Sequence, residues 1–551
     1  MSKSFRLRVI FEPRMDAPIP GWMVFPVIFA ALYASHFSFL RLPYYWDEAG
    51  YYIPAAWDFF RTGSLIPVST LTNAHPPLPS IYLALWWKFS DFLPEVTREA
   101  VLIVAAAGLL AVWRLAQRLA ESGEVAFWTV VLTGLYPVWF AQSTLAHADI
   151  FAATCTLWGL VYALPDGERR PPVAAAWFMA AVLCKETAIV IPITLALVAV
   201  VEGMLSSPVR KRRWIEAAWL VSCILPLLGW YAWHFAKTGF VFGNPVYLKY
   251  NAQANLEPLR VLAAFGHRLL HLFAHMNMFV PVLLTLAALM LRPRLDAEGR
   301  ERPQISEASM RRIFIVLLVN ALFFSVLGGA LLTRYLLPMY PLVLVVAVST
   351  FYRRVPFWQS LAVLSAAAFV VGLFVNPPYR FAPEDNLEYA RVVRMHLAGI
   401  AQLNKRFPGS TVLSAWPVTD ELTKPELGYL KTPFEVDKLE DFTAEQIDKA
   451  AEEPGRYTTA LVFSTKYDPP SLPLSLGPKS EEMDRRYFGL HHDLPPEAIA
   501  MRLRGSLVWQ EENHGQWIAL IRFNRQFEAA AKLPSGLPLR VRCPARSASV
   551  Q

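Results

Sequence analysis

Cysteine is scarce in this chain, with four in 551 residues. Cys155, Cys184 and Cys223 lie within apolar segments and Cys543 lies near the end. That pattern gives neither a zinc-ligand spacing nor a disulfide framework, and no cysteine is assigned a catalytic role. Charge is scarce as well: Asp, Glu, Lys and Arg make up 17% of the residues, against 55% hydrophobic ones, and mean hydropathy is +0.33. So little charge beside so many long apolar runs excludes a soluble domain built on one core. No internal repeat of short period is present. The first apolar run lacks a small-residue cleavage site after it, which fits a retained signal anchor and not a removed signal peptide. The formal charge of +8 is not a nucleic-acid footprint. Its basic residues sit in short clusters between apolar runs, the positive-inside pattern of membrane proteins.

What the chain does have is apolar runs from 22 to 375, the mark of a polytopic α-helical membrane protein. The basic stretch 2–14 places the N-terminus in the cytoplasm and delivers Asp47 and Glu48 to the outer side. The segment "HPPLPSIYLALWWKFSDF" (75–92) is apolar but short and opens with Pro-Pro, so it reads as an interfacial helix. With that assignment every strongly basic loop falls inside, and about eleven spans result at the usual length of roughly 20 residues each. The stretch 173–201 is broken at Lys185-Glu186 and reads as two short helices meeting at the outer side. The module 1–375, with its first outer loop at 41–96, is followed at 376–530 by a soluble α/β domain expected outside the cytoplasm. Within it, 411–417 and 458–467 read as buried strands, and 384–406 and 440–453 as helices. Residues 531–551 read as a flexible tail.

On this topology the polar residues embedded in apolar sequence gather on one side. They are Asp47, Glu48, His75, Asp149, Lys185, Glu186 and Arg334. An ionisable group at membrane depth costs roughly 2.5–3.5 kcal/mol on insertion scales, so each is a functional candidate. Each also has a structural reading: acidic residues that cap a helix, Lys185 and Glu186 as an ion pair, Arg334 snorkelling to headgroups. His267, His271 and His275 recur every four residues along one helix face, as a polar stripe or, with further ligands, a metal site.

Four motifs taken together resemble the GT-C fold glycosyltransferases, near the dolichyl-phosphate-mannose protein mannosyltransferases and the lipid A aminoarabinose transferases. They are "YYWDEAGYYIPAAWDFFRTGSL" followed by "AHPPL", then "TLAHADIF", "LCKETAIVIP" and "RYLLPMYP". The resemblance implies transfer of a sugar from a polyprenyl-phosphate donor, at the outer membrane face, to a protein, lipid or glycan acceptor. It implies Asp47 as base, with Glu48 and Asp149 beside it, and Lys185, Arg334 and Tyr335 on the donor phosphate. Tyr52, His75 and His271 are further candidates. The family often carries Lys directly before Pro-Pro, where this chain has His75. A divalent cation, Mg or Mn, at Asp47 and Asp149 is one reading of the acidic pair. The rival classes are a flippase for a lipid-linked glycan, with polar groups at mid-membrane and symmetric halves, and a non-catalytic protein that binds lipid-linked sugars.

Overall fold

The computed structural model describes residues 21–166, 169–244, 256–296, 298–327, 330–453, 455–469 and 477–523. The basic stretch 2–14, Cys543 and the expected tail lie outside them. The chain enters on α1 (Gly21–His36), then lays down two short helices, α2 (Ile53–Thr62) and α3 (Leu78–Phe89). At 1.5 Å per residue α3 is about 18 Å long, too short to cross a bilayer core of about 30 Å. The long α4 (Pro94–Ala120) starts with proline at its first position, where no amide hydrogen is needed. Next come α5 (Gly123–Leu135), α6 (Pro137–Gln142), α7 (Ala148–Ala163), α8 (Pro171–Cys184) and α9 (Val190–Leu205). They are followed by α10 (Arg210–Val221), α11 (Ile224–Thr238), α12 (Pro258–Phe273) and α13 (Phe279–Leu289). The apolar part closes with α14 (Glu307–Val326), α15 (Tyr340–Arg354) and α16 (Trp358–Phe374).

Each expected crossing has a helix, but not eleven long ones. Among the described residues five helical stretches are long and apolar enough to span, or six if α12 and α13 count as one span bent by 97°. The others are shorter apolar helices, because the chain breaks where its residues demand it. Pro137 interrupts the third crossing after Tyr136. Lys185 is extended (φ −152°, ψ 124°) between α8 and α9, so the expected pair of short helices is there. The expected straight span at 267–291 is instead kinked at His275–Asn277, where Met276 takes φ 48°.

Opposite ends of the bundle carry different chemistry. Arg98 and Arg118 lie one at each end of α4, about 30 Å apart by helix rise. At the Arg118 end, Arg312 is fully buried between Glu202 (2.8 Å) and Glu216 (2.9 Å), and Arg302 and Arg353 tie the 292–312 loop to α15. At the Arg98 end sits a small domain whose first helix, α17 (Glu388–Arg406), covers a five-stranded sheet. Its strands are β1 (Thr411–Ala415), β2 (Glu435–Leu439), β3 (Thr459–Phe463), β4 (Ser506–Asn513) and β5 (Gln516–Arg522), in the order β2-β1-β3-β5-β4. The two strands expected from sequence are the parallel pair at its centre, β1 and β3. The domain is seated on the first loop: Tyr429 donates to the Tyr44 carbonyl (3.0 Å), and the Tyr44 amide donates to Leu427 (3.3 Å).

Candidate active site

Asp47 and Glu48 follow directly on a strained residue. Trp46 has φ 48°, a left-handed conformation that a bulky side chain seldom adopts. The next residues, Glu48–Tyr52, form a widened π-type turn leading into α2, a feature frequent at functional sites. This geometry turns the two carboxylates to different partners. Glu48 is fully buried and accepts from the Tyr45 amide (2.9 Å) and the Ala146 amide (2.6 Å). Arg98 holds both its oxygens, each at 3.2 Å. The remaining Arg98 donors go to the carbonyls of Leu42, Pro43 and Thr144. Glu48, expected beside Asp47, links the first loop, α4 and the turn before α7.

Asp47 faces Arg334, which pairs with one of its carboxylate oxygens. Arg334 comes from the turn before α15 and is itself buried, yet three carboxylates surround it. Beside Asp47 are Asp149 of α7, 3.2 Å from Nε, and Glu384, 2.5 Å from Nη1. Lys185, at the break between α8 and α9, donates to Asp149 (2.6 Å) and lies 4.2 Å above the Tyr335 ring. The four residues Asp47, Asp149, Lys185 and Arg334, scattered over nearly 300 positions of sequence, thus meet in one centre. Tyr335 is shared by three cations, since Arg268 of α12 also lies 5.7 Å from its ring. Among the described residues Arg268 has no carboxylate partner; it donates to the Leu332 carbonyl (2.8 Å).

Carboxylates outnumber their two close cations here; Asp149 Oδ2 and Arg334 Nε meet only as an ion pair, and His147 Nε2 and Glu384 Oε1 are buried with no hydrogen bond. Buried polar atoms are nearly always paired, so a cluster of exceptions points to a ligand site. Burial pushes the Glu384 carboxyl up to about 8, opposed by Arg334 and reinforced by Asp47, Asp385 and Asp149. Asp47 is the accessible member: its side chain is 21% exposed, against 2–4% for Arg334, Asp149 and Glu384.

Beside this centre a recess opens between α2, the start of α3 and Trp230, reaching Ala148 next to Asp149. Tyr52 and His75 line it with stacked rings 5.9 Å apart, and His75 Nδ1 meets Glu186 at 2.8 Å. His271 is elsewhere. It is buried on α12 with Nδ1 unpartnered, 5.5 Å ring to ring from His275. His275 in turn bridges Asp385 (2.9 Å) and Tyr379 (3.0 Å). The three histidines of the row therefore differ in role, and no group of three His, Cys, Asp or Glu among the described residues is placed to hold a metal. A divalent ion between Asp47 and Asp149 does not fit this arrangement, because the Arg334 guanidinium already bridges them.

Sequence reasoning did not single out Arg98, His147, Arg268 or Glu384. Arg98 and Arg268 each sit within an expected helix, a signal of the same kind that drew attention to Lys185. Glu384, in "APEDNLEY", reads as an acidic helix start in a soluble domain, and nothing local marks it as buried.

An apolar helical bundle with a buried carboxylate–arginine centre at one end is thus roofed by a small mixed sheet. The fold is similar to that of solved structures, among them two of one protein. ArnT from Cupriavidus metallidurans in the apo state is 15% identical, with a TM-score of 0.51 over 91% of this chain and 98% of that one. The same protein bound to undecaprenyl phosphate is 14% identical, with a TM-score of 0.51 over 92% and 98%. No protein-family profile matches the chain, and no curated protein does. The fold expected from four short motifs is matched over most of the chain.

Proposed function

We propose that this chain is a glycosyltransferase that moves a sugar from a polyprenyl-phosphate donor to an acceptor, at the extracytoplasmic face of a bacterial inner membrane. The observation that carries this reading is the Arg334 centre: an accessible carboxylate, Asp47, set against two buried cations. An ArnT of the same fold binding undecaprenyl phosphate supports the choice of donor lipid. The N-terminus lies in the cytoplasm and the sheet domain outside, consistent with basic residues such as Arg312 and Arg353 collecting at the opposite end.

In this reading Asp47 takes the proton from the acceptor hydroxyl or amine as the new bond to the anomeric carbon forms. The bond from that carbon to the phosphate oxygen breaks, and its electron pair leaves with the lipid phosphate. Lys185 and Arg334 hold the charge that develops there, more strongly in a dry site than water would. Arg offers a planar fork and Lys a point charge. Tyr335 keeps the cations in place through its ring face. A single displacement inverts the anomeric centre. Tyr52 and His75 in the adjoining recess contact the sugar, and the sheet domain above the first loop contributes to acceptor choice. No step runs through a metal.

The test is a transfer assay with purified protein and a panel of polyprenyl-phosphate sugars. Transfer from at least one, with inverted linkage in the product, is expected. Trapping a sugar–protein adduct would overturn the single displacement, and failure with every donor would overturn the assignment.

A further inference from the structure

The segment joining the last apolar helix to the sheet domain puts three consecutive polar residues into the interior. Glu384, Asp385 and Asn386 are 3%, 1% and 0% exposed. Burying two carboxyls and an amide in a row is costly unless each is held, and each is held by a different element. Asn386 donates to the Gly372 carbonyl (3.3 Å) and to Asn376 (3.1 Å). Asp385 is bound by His275 (2.9 Å) and by the Thr333 hydroxyl. Among the described residues Glu384 takes a side-chain hydrogen bond from Arg334 alone: Oε2 pairs with Nη1, with His147 Nδ1 farther off at 4.0 Å, while Oε1 is buried without a hydrogen bond.

A phosphate that binds Arg334 must take guanidinium hydrogens from one of its three anions. Asp149 is anchored separately by Lys185, and Asp47 is the accessible carboxylate on the acceptor side. Glu384 is the buried one that, among the described residues, has no cation within hydrogen-bond distance besides Arg334, His147 standing off at 4.0 Å. We propose that Glu384 is a positioning residue that, before the donor arrives, occupies the face of Arg334 that the donor's phosphate takes up. The inference rests on the donor class assigned above. On leaving Arg334 a buried carboxylate keeps its place most cheaply by taking up a proton. Burial already pushes Glu384 up to about 8, so at neutral pH the exchange is easy. Above that, the ionised group competes with the phosphate.

The groups facing Glu384 are Arg334 from the turn before α15, His147 from the turn before α7 (4.0 Å), Tyr45 and Asp47 from the first loop, Asp149 from α7 and its neighbour Asp385. The second ionisation of the lipid phosphate has its midpoint near pH 6 and is nearly complete by about pH 8, and it adds charge to the ligand, so it does not produce a fall in affinity above that pH.

The experiment measures binding of undecaprenyl phosphate to the full chain in detergent between pH 6.5 and 9.5, for wild type, Glu384→Gln and Glu384→Asp. Wild-type affinity is expected to fall above about pH 8, by up to roughly tenfold per pH unit as the proton that neutralises Glu384 is lost. Glu384→Gln, which keeps an acceptor but cannot ionise, is expected to bind with little change across the range. Glu384→Asp should restore the fall. A flat wild-type profile, or a Glu384→Gln profile that parallels wild type, overturns the inference while leaving the donor assignment standing. Absence of binding by every variant at every pH contradicts the donor assignment itself.

Discussion

Asp47 and Glu48 are neighbours, and each faces a buried arginine, yet the two centres are built to opposite plans. Around Arg98 the account is closed. All five of its hydrogens and both Glu48 oxygens have partners, and two backbone amides complete the carboxylate. Around Arg334 the account is open, with three carboxylates on one guanidinium, unpartnered buried atoms and an accessible Asp47. A buried ion pair of the first kind fixes geometry; one of the second kind leaves groups able to exchange partners. The comparison teaches that burial and pairing alone do not separate a pin from a site. Completeness of the hydrogen bonding does.

Breaking the closed centre should have the largest effect on stability. Glu48→Gln leaves Arg98 buried without its counter-charge, and loss of one partner of a buried pair typically costs about 3–5 kcal/mol. A marked fall in the thermal unfolding temperature is expected, with transfer lost only as the fold is lost. The open centre should respond in reverse. Arg334→Lys keeps a charge but loses the fork, and transfer should drop by roughly 10²–10³-fold, the size seen when one charge-stabilising donor is removed. Its unfolding temperature should move much less than that of Glu48→Gln.

A smaller effect tests how the sheet domain supports the acidic turn. A methyl group on Gly50 would lie 2.8 Å from the Trp416 ring of that domain. Gly50→Ala should therefore cost about 1–3 kcal/mol through overpacking, read as a lower unfolding temperature together with a higher donor KM. The smallest change is expected at the partly buried His75–Glu186 pair. His75→Ala should alter stability by less than about 1 kcal/mol, while shifting the relative rates among donor sugars in a competition assay.

The site was partly legible in the sequence. Asp47, Asp149, Lys185 and Arg334 stood out because charge is rare in apolar sequence and its presence there needs a reason. Their meeting around one guanidinium could not be read from spacing, since it depends on how four separate segments pack. Glu48 carried the same signal as Asp47, and only the φ 48° turn at Trp46 shows that the two point apart. Glu384 lay in a stretch whose composition matches an exposed helix start, so its burial follows from tertiary packing alone. For the fold, the broken crossing at Lys185 was visible as a polar break. The 97° bend between α12 and α13 was not, because it falls inside a continuous apolar and histidine-bearing run. Of the sheet, the buried central strands β1 and β3 had the clearest pattern. Strands β2 and β4 lie at its edges, and their mixed polar sequences, "EVDKL" and "SLVWQEEN", give weak alternation.

The most direct measurement compares sugar transfer by wild type and Asp47→Asn, each first shown to bind undecaprenyl phosphate and to unfold at the same temperature. If Asp47 is the base of the open centre, transfer falls by roughly 10²–10⁴-fold, the usual weight of a general base, while lipid binding and stability are retained. Transfer at the wild-type rate by Asp47→Asn would contradict the account.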